Sequence, residues 1–131
     1  MRYTPCMTKT AIVSSKTPPP AGAYSPALAV DEWVFLSGQG GFDPATDELA
    51  GDYIEAQTEQ TFRNIEALLE EAGLSLDHVV SCLVHLSDLS LFPRYNAVYE
   101  RQFAEPRPVR TTVGAQLLSG MLIEVTVTAR R

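Results

Sequence analysis

The chain has 131 residues, a formal charge of −6 and an apolar share of 45%, which suits one globular domain with one core. The acidic balance argues against a broad nucleic-acid-binding face, and no apolar run reaches membrane-spanning length. Met1–Thr10 lacks the apolar stretch of a secretory signal, and Cys6 and Cys82 stand in contexts too different for a disulfide framework, so a cytoplasmic protein is expected.

Residues 1–9 read as a flexible leader, with Met7 as an alternative start, and residues 10–131 as the single domain. Thr10–Val13 is the first strand candidate, and Pro18-Pro19-Pro20 then imposes an extended connection. Ala27–Val30 and Trp33–Leu36 read as strands joined by a two-residue turn, Asp31-Glu32, without the usual Gly or Asn. Gly38, Gly40 and Gly41 follow, residues that allow backbone geometry closed to others. They read as a turn beside a cleft, or as a close backbone approach to a ligand, rather than as a phosphate loop, because no Lys-Ser/Thr pair follows. Asp43–Asp47 is a turn-rich loop.

A helix is expected from about Ile54 to Ala72, on the stripe Ile54, Thr58, Phe62, Ile65, Leu69 and Ala72. Asp52 is its candidate N-cap and Gly73 its stop. Val79–Leu86 is a strand apolar on both faces, and Leu91–Phe103 a second helix, with Pro93 tolerated in its first turn. Strands over Arg110–Ala115 and Leu122–Ala129 complete the order β-β-β-α-β-α-β-β, an α+β fold whose mixed sheet carries two helices on one face. In the last strand Ile123, Val125, Val127 and Ala129 should face the helices. Leu122, Glu124, Thr126 and Thr128 should face the uncovered side, where another subunit would pack.

Four polar residues stand out along these apolar strands: Tyr24, Ser37, Arg110 and Glu124. A carboxylate inside a half-buried strand is unfavourable unless paired or in use. An Arg on the preceding strand offers two parallel N–H donors to a small carboxylate ligand, which points to a pocket for a small organic acid. Ser37 has no His-acid pair to make it a nucleophile. Cys82 and His85 are spaced so that a strand puts them on opposite faces, so they read as packing residues and no metal site is expected.

Gly22-Ala23-Tyr24-Ser25, Val34–Gln39, Asp43-Pro44, Gln57–Ile65, Tyr95–Tyr99, Pro108–Val113 and Ile123-Glu124-Val125 together resemble the RidA/YjgF family of enamine and imine deaminases. The resemblance implies a chorismate-mutase-like fold and a homotrimer with clefts between subunits. It implies hydrolysis of 2-aminoacrylate and related enamines or imines to 2-keto acids and ammonia, with no cofactor. Arg110 matches the residue that holds the substrate carboxylate, and Glu124 the one that orients or activates water. Tyr24, Ser37, Gly38, Asn96 and Thr112 match positions around the substrate. Thr112, which keeps the backbone N–H and removes thiol sensitivity, stands where many deaminase members carry Cys; Gly40-Gly41-Phe42 stands where they carry an apolar residue and Pro, and this with the short connection Ala104–Pro108 bears on substrate range. The alternatives are a non-catalytic carboxylate-binding or regulatory trimer and, against the acidic charge, an endoribonuclease.

Overall fold

The computed structural model describes residues 8–131. The leader expected over residues 1–9, with Cys6 and Met7, lies outside them except for Thr8 and Lys9, and Lys9 already belongs to the first strand. The elements are β1 (Lys9–Ile12), β2 (Ala27–Val30), β3 (Trp33–Leu36), β4 (Phe42–Asp43), β5 (Glu48–Leu49), α1 (Ile54–Glu71), β6 (Val79–Leu86), α2 (Phe92–Tyr99), β7 (Val109–Gly114) and β8 (Ile123–Arg130). Six strands form one mixed sheet in the order β1-β2-β3-β8-β6-β7. Only β6 and β7 run parallel, joined by the crossover that contains α2. The fold class read from the sequence holds. The addition is the two-stranded ribbon β4–β5, where only a loop was expected.

β8 lies between β3 and β6 and alternates as its sequence requires. Ile123, Val125, Val127 and Ala129 are buried, while Glu124, Thr126 and Thr128 are half-buried on the other side. The buried set packs with Val34, Leu36, Val84 and Leu86 beneath Phe62, Ile65, Leu68 and Leu69 of α1. Phe62 meets Tyr99 and Phe103 edge-to-face, which ties α1 to α2 and the segment after it. Among the described residues no helix covers the opposite face. Trp33, Phe35 and Leu83 stand there 40%, 44% and 39% exposed, an apolar patch of the kind that marks an interface.

The helix ends follow local chemistry, with one correction. Tyr53, not Asp52, is the N-cap of α1, and no side chain caps it. The helix starts one residue later than Asp52 would need, and Gln57 bonds the Gly51 carbonyl instead. At the other end Gly73 takes a φ of 75°. Its N–H bonds the Glu70 carbonyl and that of Leu74 the Leu69 carbonyl, a Schellman arrangement. α2 is shorter than expected, because after Tyr99 the chain tightens into i→i+3 bonds through Gln102. Asp31 takes a φ of 52° in the β2–β3 turn, the conformation that Gly or Asn would adopt more easily. Among the described residues no helix is long and apolar enough to cross a membrane.

Tyr99 marks a weak point in the core. Its hydroxyl is buried near the Cys82 thiol without a hydrogen-bond partner among the described residues. Burial, then the nearby thiol, pushes this phenol far above its ordinary range, and burial also pushes Tyr95 up. A phenol raised on folding contributes its full stabilisation below the unfolded value and loses it as pH climbs. Denaturant unfolding should therefore show stability falling above about pH 10. Tyr99→Phe should leave stability at neutral pH unchanged or higher, since it removes a buried unpaired hydroxyl, and should flatten part of the alkaline loss.

Candidate active site

The expected site residues fall into two groups. The first lies where β3 ends and β8 begins, around a cavity of about 310 Å³ lined by Tyr24, Gly38, Gln39 and Glu124 among others. Gln39 exchanges backbone hydrogen bonds with Val125 and carries the chain beyond β3 alongside β8. Gly38 is thereby pressed against the neighbouring Glu124 side chain. A Cβ at position 38 would stand 2.7 Å from the Glu124 carboxyl carbon and 2.8 Å from its Oε1. The bare glycine leaves the room the carboxylate occupies.

The reason for the glycines differs from the one expected. Gly38, Gly40 and Gly41 do not take left-handed φ values; they are needed for space. A Cβ at position 40 would collide with Met121 Sδ, and one at position 41 would lie 2.7 Å from backbone atoms of Gln57. α1 holds this glycine run through a buried polar stripe. Asn64 Nδ2 donates to the carbonyls of Gly40 and Phe42 at 3.0 and 2.8 Å, and the Leu122 N–H donates to Gln57 Oε1 at 2.8 Å. Gln57 and Asn64 thus position both strands that carry the pocket. Sequence reasoning quoted them in a motif but gave them no role; the available signal was amides among the apolar positions of a core-facing helix.

Tyr24 and Ser37 shape the rim. Tyr24 is half exposed, and its hydroxyl accepts the Ala21 N–H at 3.2 Å, so its own proton stays free to donate. Ser37 Oγ donates to the Ser25 carbonyl at 2.8 Å, and its backbone N–H to the Pro26 carbonyl at 2.9 Å. It fastens the Tyr24 turn to β3 and is not in the cavity wall.

The second group is built on α2 and β7. Arg110 Nη1 donates to Asn96 Oδ1 at 2.7 Å and to the Tyr95 hydroxyl at 3.2 Å. The guanidinium lies 4.5 Å from the centre of the Tyr99 ring, with Phe92 and Tyr95 at 5.4 and 5.7 Å. The Thr112 hydroxyl is 3.3 Å from that of Tyr95. One edge of the guanidinium is held, and its remaining N–H donors have no partner among the described residues. Asn96 orients Arg110, and Tyr95 and Tyr99 form its aromatic seat.

These groups do not meet within one chain. β7 precedes β8 in sequence, but β6 lies between them in the sheet. Arg110 is in register with Cys82, buried on the helix side, whereas Glu124 is in register with His85 on the open side. Within the single chain Arg110 and Glu124 therefore do not stand side by side. The same registers separate Cys82 from His85. Burial pushes the Cys82 thiol up, which fits a packing role.

Gly38→Ala is expected to fold, because the atom it displaces is the mobile end of Glu124 rather than backbone. It should change stability by no more than about 1 kcal/mol and lower ligand affinity or turnover roughly 10- to 100-fold by moving the carboxylate. Paired denaturation and activity measurements check this.

The comparisons with known proteins agree with this architecture. The family model described as Endoribonuclease L-PSP matches residues 14–131. A RutC family protein from Saccharolobus solfataricus is 42% identical over 94% of this chain and 98% of its own. The structure of RidA from an Antarctic Psychrobacter superposes with a TM-score of 0.90 at 41% identity, covering 93% of this chain and 99% of that one. TdcF of E. coli, solved with bound serine, superposes with a TM-score of 0.88 at 28% identity, over 93% and 98% of the two chains. The chain therefore belongs to the Endoribonuclease L-PSP family, which includes the RidA and YjgF proteins.

Proposed function

We propose that this protein hydrolyses small enamine and imine acids, such as 2-aminoacrylate, to 2-keto acids and ammonia. The observation that carries the reading is the Arg110 guanidinium, seated on an aromatic ring and held on one edge by Asn96 and Tyr95. Its open edge suits a substrate carboxylate. The bound serine of the E. coli neighbour, a small molecule with such a carboxylate, supports that choice of ligand.

Glu124 provides the other half. An enamine first takes a proton on carbon to become the imine. Water then adds across the C=N bond, and Glu124 accepts a proton from that water. The proton passes to the amine nitrogen, the C–N bond breaks with its electron pair leaving on nitrogen while the carbinol O–H gives up its proton to Glu124, replacing the one taken up on carbon, and the keto acid and ammonia depart. Tyr24 can donate a hydrogen bond at the rim, and the Thr112 backbone N–H is the second donor we propose for the carboxylate. The chemistry needs no redox partner.

Because Arg110 and Glu124 lie on opposite sides of the sheet, the working cleft takes each from a different copy. The uncovered apolar face with Trp33, Phe35 and Leu83 supports such an assembly, and a homotrimer is the state we propose, acting in the cytoplasm.

The test couples a serine or threonine dehydratase, which releases 2-aminoacrylate, to detection of the keto acid. The protein should accelerate keto-acid formation, and Arg110→Ala and Glu124→Gln should each lower that acceleration by about 100-fold or more with unchanged circular dichroism. Full activity in Arg110→Ala would remove the proposed anchor. Absence of acceleration with retained keto-acid binding would favour a ligand-binding protein.

A further inference from the structure

We infer that the Thr112 hydroxyl is a further donor to the ligand carboxylate, and that Tyr95 is the positioning residue that aims it. This deepens the reading above and rests on it for the carboxylate at Arg110. Arg110 and Thr112 lie two residues apart on β7, in register with Cys82 and Val84, which are buried on the helix side. Side chains two apart in a strand share a face, so both stand toward α2. The Tyr95 hydroxyl bridges them, 3.2 Å from Arg110 Nη1 and 3.3 Å from Thr112 Oγ1.

The proton directions along these three groups follow from what each can donate. A guanidinium has donors and no acceptor, so the Tyr95 oxygen accepts from Arg110. Tyr95 is fully buried, and a buried O–H without an acceptor is unfavourable. The acceptor that this hydroxyl has among the described residues is Thr112 Oγ1. Tyr95 therefore donates to Thr112, and Thr112 turns its own hydrogen elsewhere. That hydrogen has no partner among the described residues, and Thr112 is only half-buried. A free hydroxyl offers a ligand either its hydrogen or its lone pairs; one whose oxygen already accepts from Tyr95 offers its hydrogen. On the same face as the unbonded edge of Arg110, such a donor suits an anion and needs no reorientation when the anion arrives. A thiol at this position would accept the Tyr95 proton and donate its own more weakly, so the device belongs to the hydroxyl of Thr112.

Calorimetric titration of the purified full chain with pyruvate, the product acid, tests this through a double-mutant cycle. Thr112→Val should weaken binding about tenfold or more, as expected for a lost hydrogen bond to a charged group, and Thr112→Ser should stay within about threefold of wild type. Tyr95→Phe also loosens Arg110, so it should weaken binding in both backgrounds. The loss should be about threefold or more larger with Thr112 present than beside Thr112→Val, where the hydroxyl to be aimed is already gone. Wild-type affinity in Thr112→Val would overturn the donor. Equal losses in Thr112→Val and Thr112→Ser would overturn it too, because Ser keeps the hydroxyl. Equal effects of Tyr95→Phe in the two backgrounds would overturn the aiming and leave Tyr95 a partner of Arg110 alone. The carboxylate anchor is read separately in Arg110→Ala. Loss of binding there, with Thr112→Val unaffected, would reject this inference alone; no binding of pyruvate by the wild type would reject both.

Discussion

The two-residue period of a β-strand is the constraint on which the rest of this molecule depends. β8 runs through the middle of the sheet, and its alternation sends Ile123, Val125, Val127 and Ala129 into the core and Glu124 to the other side. Burying that apolar row fixes the register strongly, because a slip of one residue would turn Glu124 inward and expose the core. Glu124 is therefore aimed by four neighbours that take no part in chemistry. The same period on β7 puts Arg110 in register with buried Cys82 and leaves its guanidinium against the aromatic rings of α2. One chain consequently presents an acid on one side and a cation on the other, with β6 between. A cleft that uses both has to be assembled from more than one copy.

Precision at the acid depends on close backbone approach. Gly38, Gly40 and Gly41 lie so near Glu124, Met121 and Gln57 that an added side chain would have to displace them. Asn64 and Gln57 meet the backbone polar groups that this packing would otherwise leave buried and unbonded. α1 thus serves two ends: its apolar stripe closes the core, and its amides hold the pocket wall at a set distance from β8. Gly40 leaves the space that the Met121 thioether occupies.

Much of this was legible in the sequence. The alternation in residues 122–129, the 3.6-residue stripe from Ile54 and the bounds Ala27–Val30, Trp33–Leu36 and Val79–Leu86 all follow from periodicity, and all six strands of the main sheet were found. β4 and β5 were missed because strands of two residues carry no period. The glycines were assigned to unusual φ values, but their reason is proximity, which depends on a neighbouring strand and a distant helix and has no local signature. Asp52 looked like a cap by type, yet the helix begins a residue too late for it. Arg110 and Glu124 lie on strands consecutive in the chain, β7 and β8. The insertion of β6 between them is a property of the sheet order.

The central claim is that Arg110 and Glu124 act on one substrate from different copies of the chain. Subunit mixing tests it most directly. Arg110→Ala and Glu124→Gln chains, each carrying a different affinity tag, are co-expressed, purified through both tags as hybrid oligomers, and assayed for 2-aminoacrylate hydrolysis. Each variant alone should be inactive. The hybrid should recover a substantial fraction of wild-type turnover, because some clefts pair an intact Arg110 with an intact Glu124. A verified hybrid with no more activity than its parents would contradict the account, since it would mean that both residues must come from the same chain.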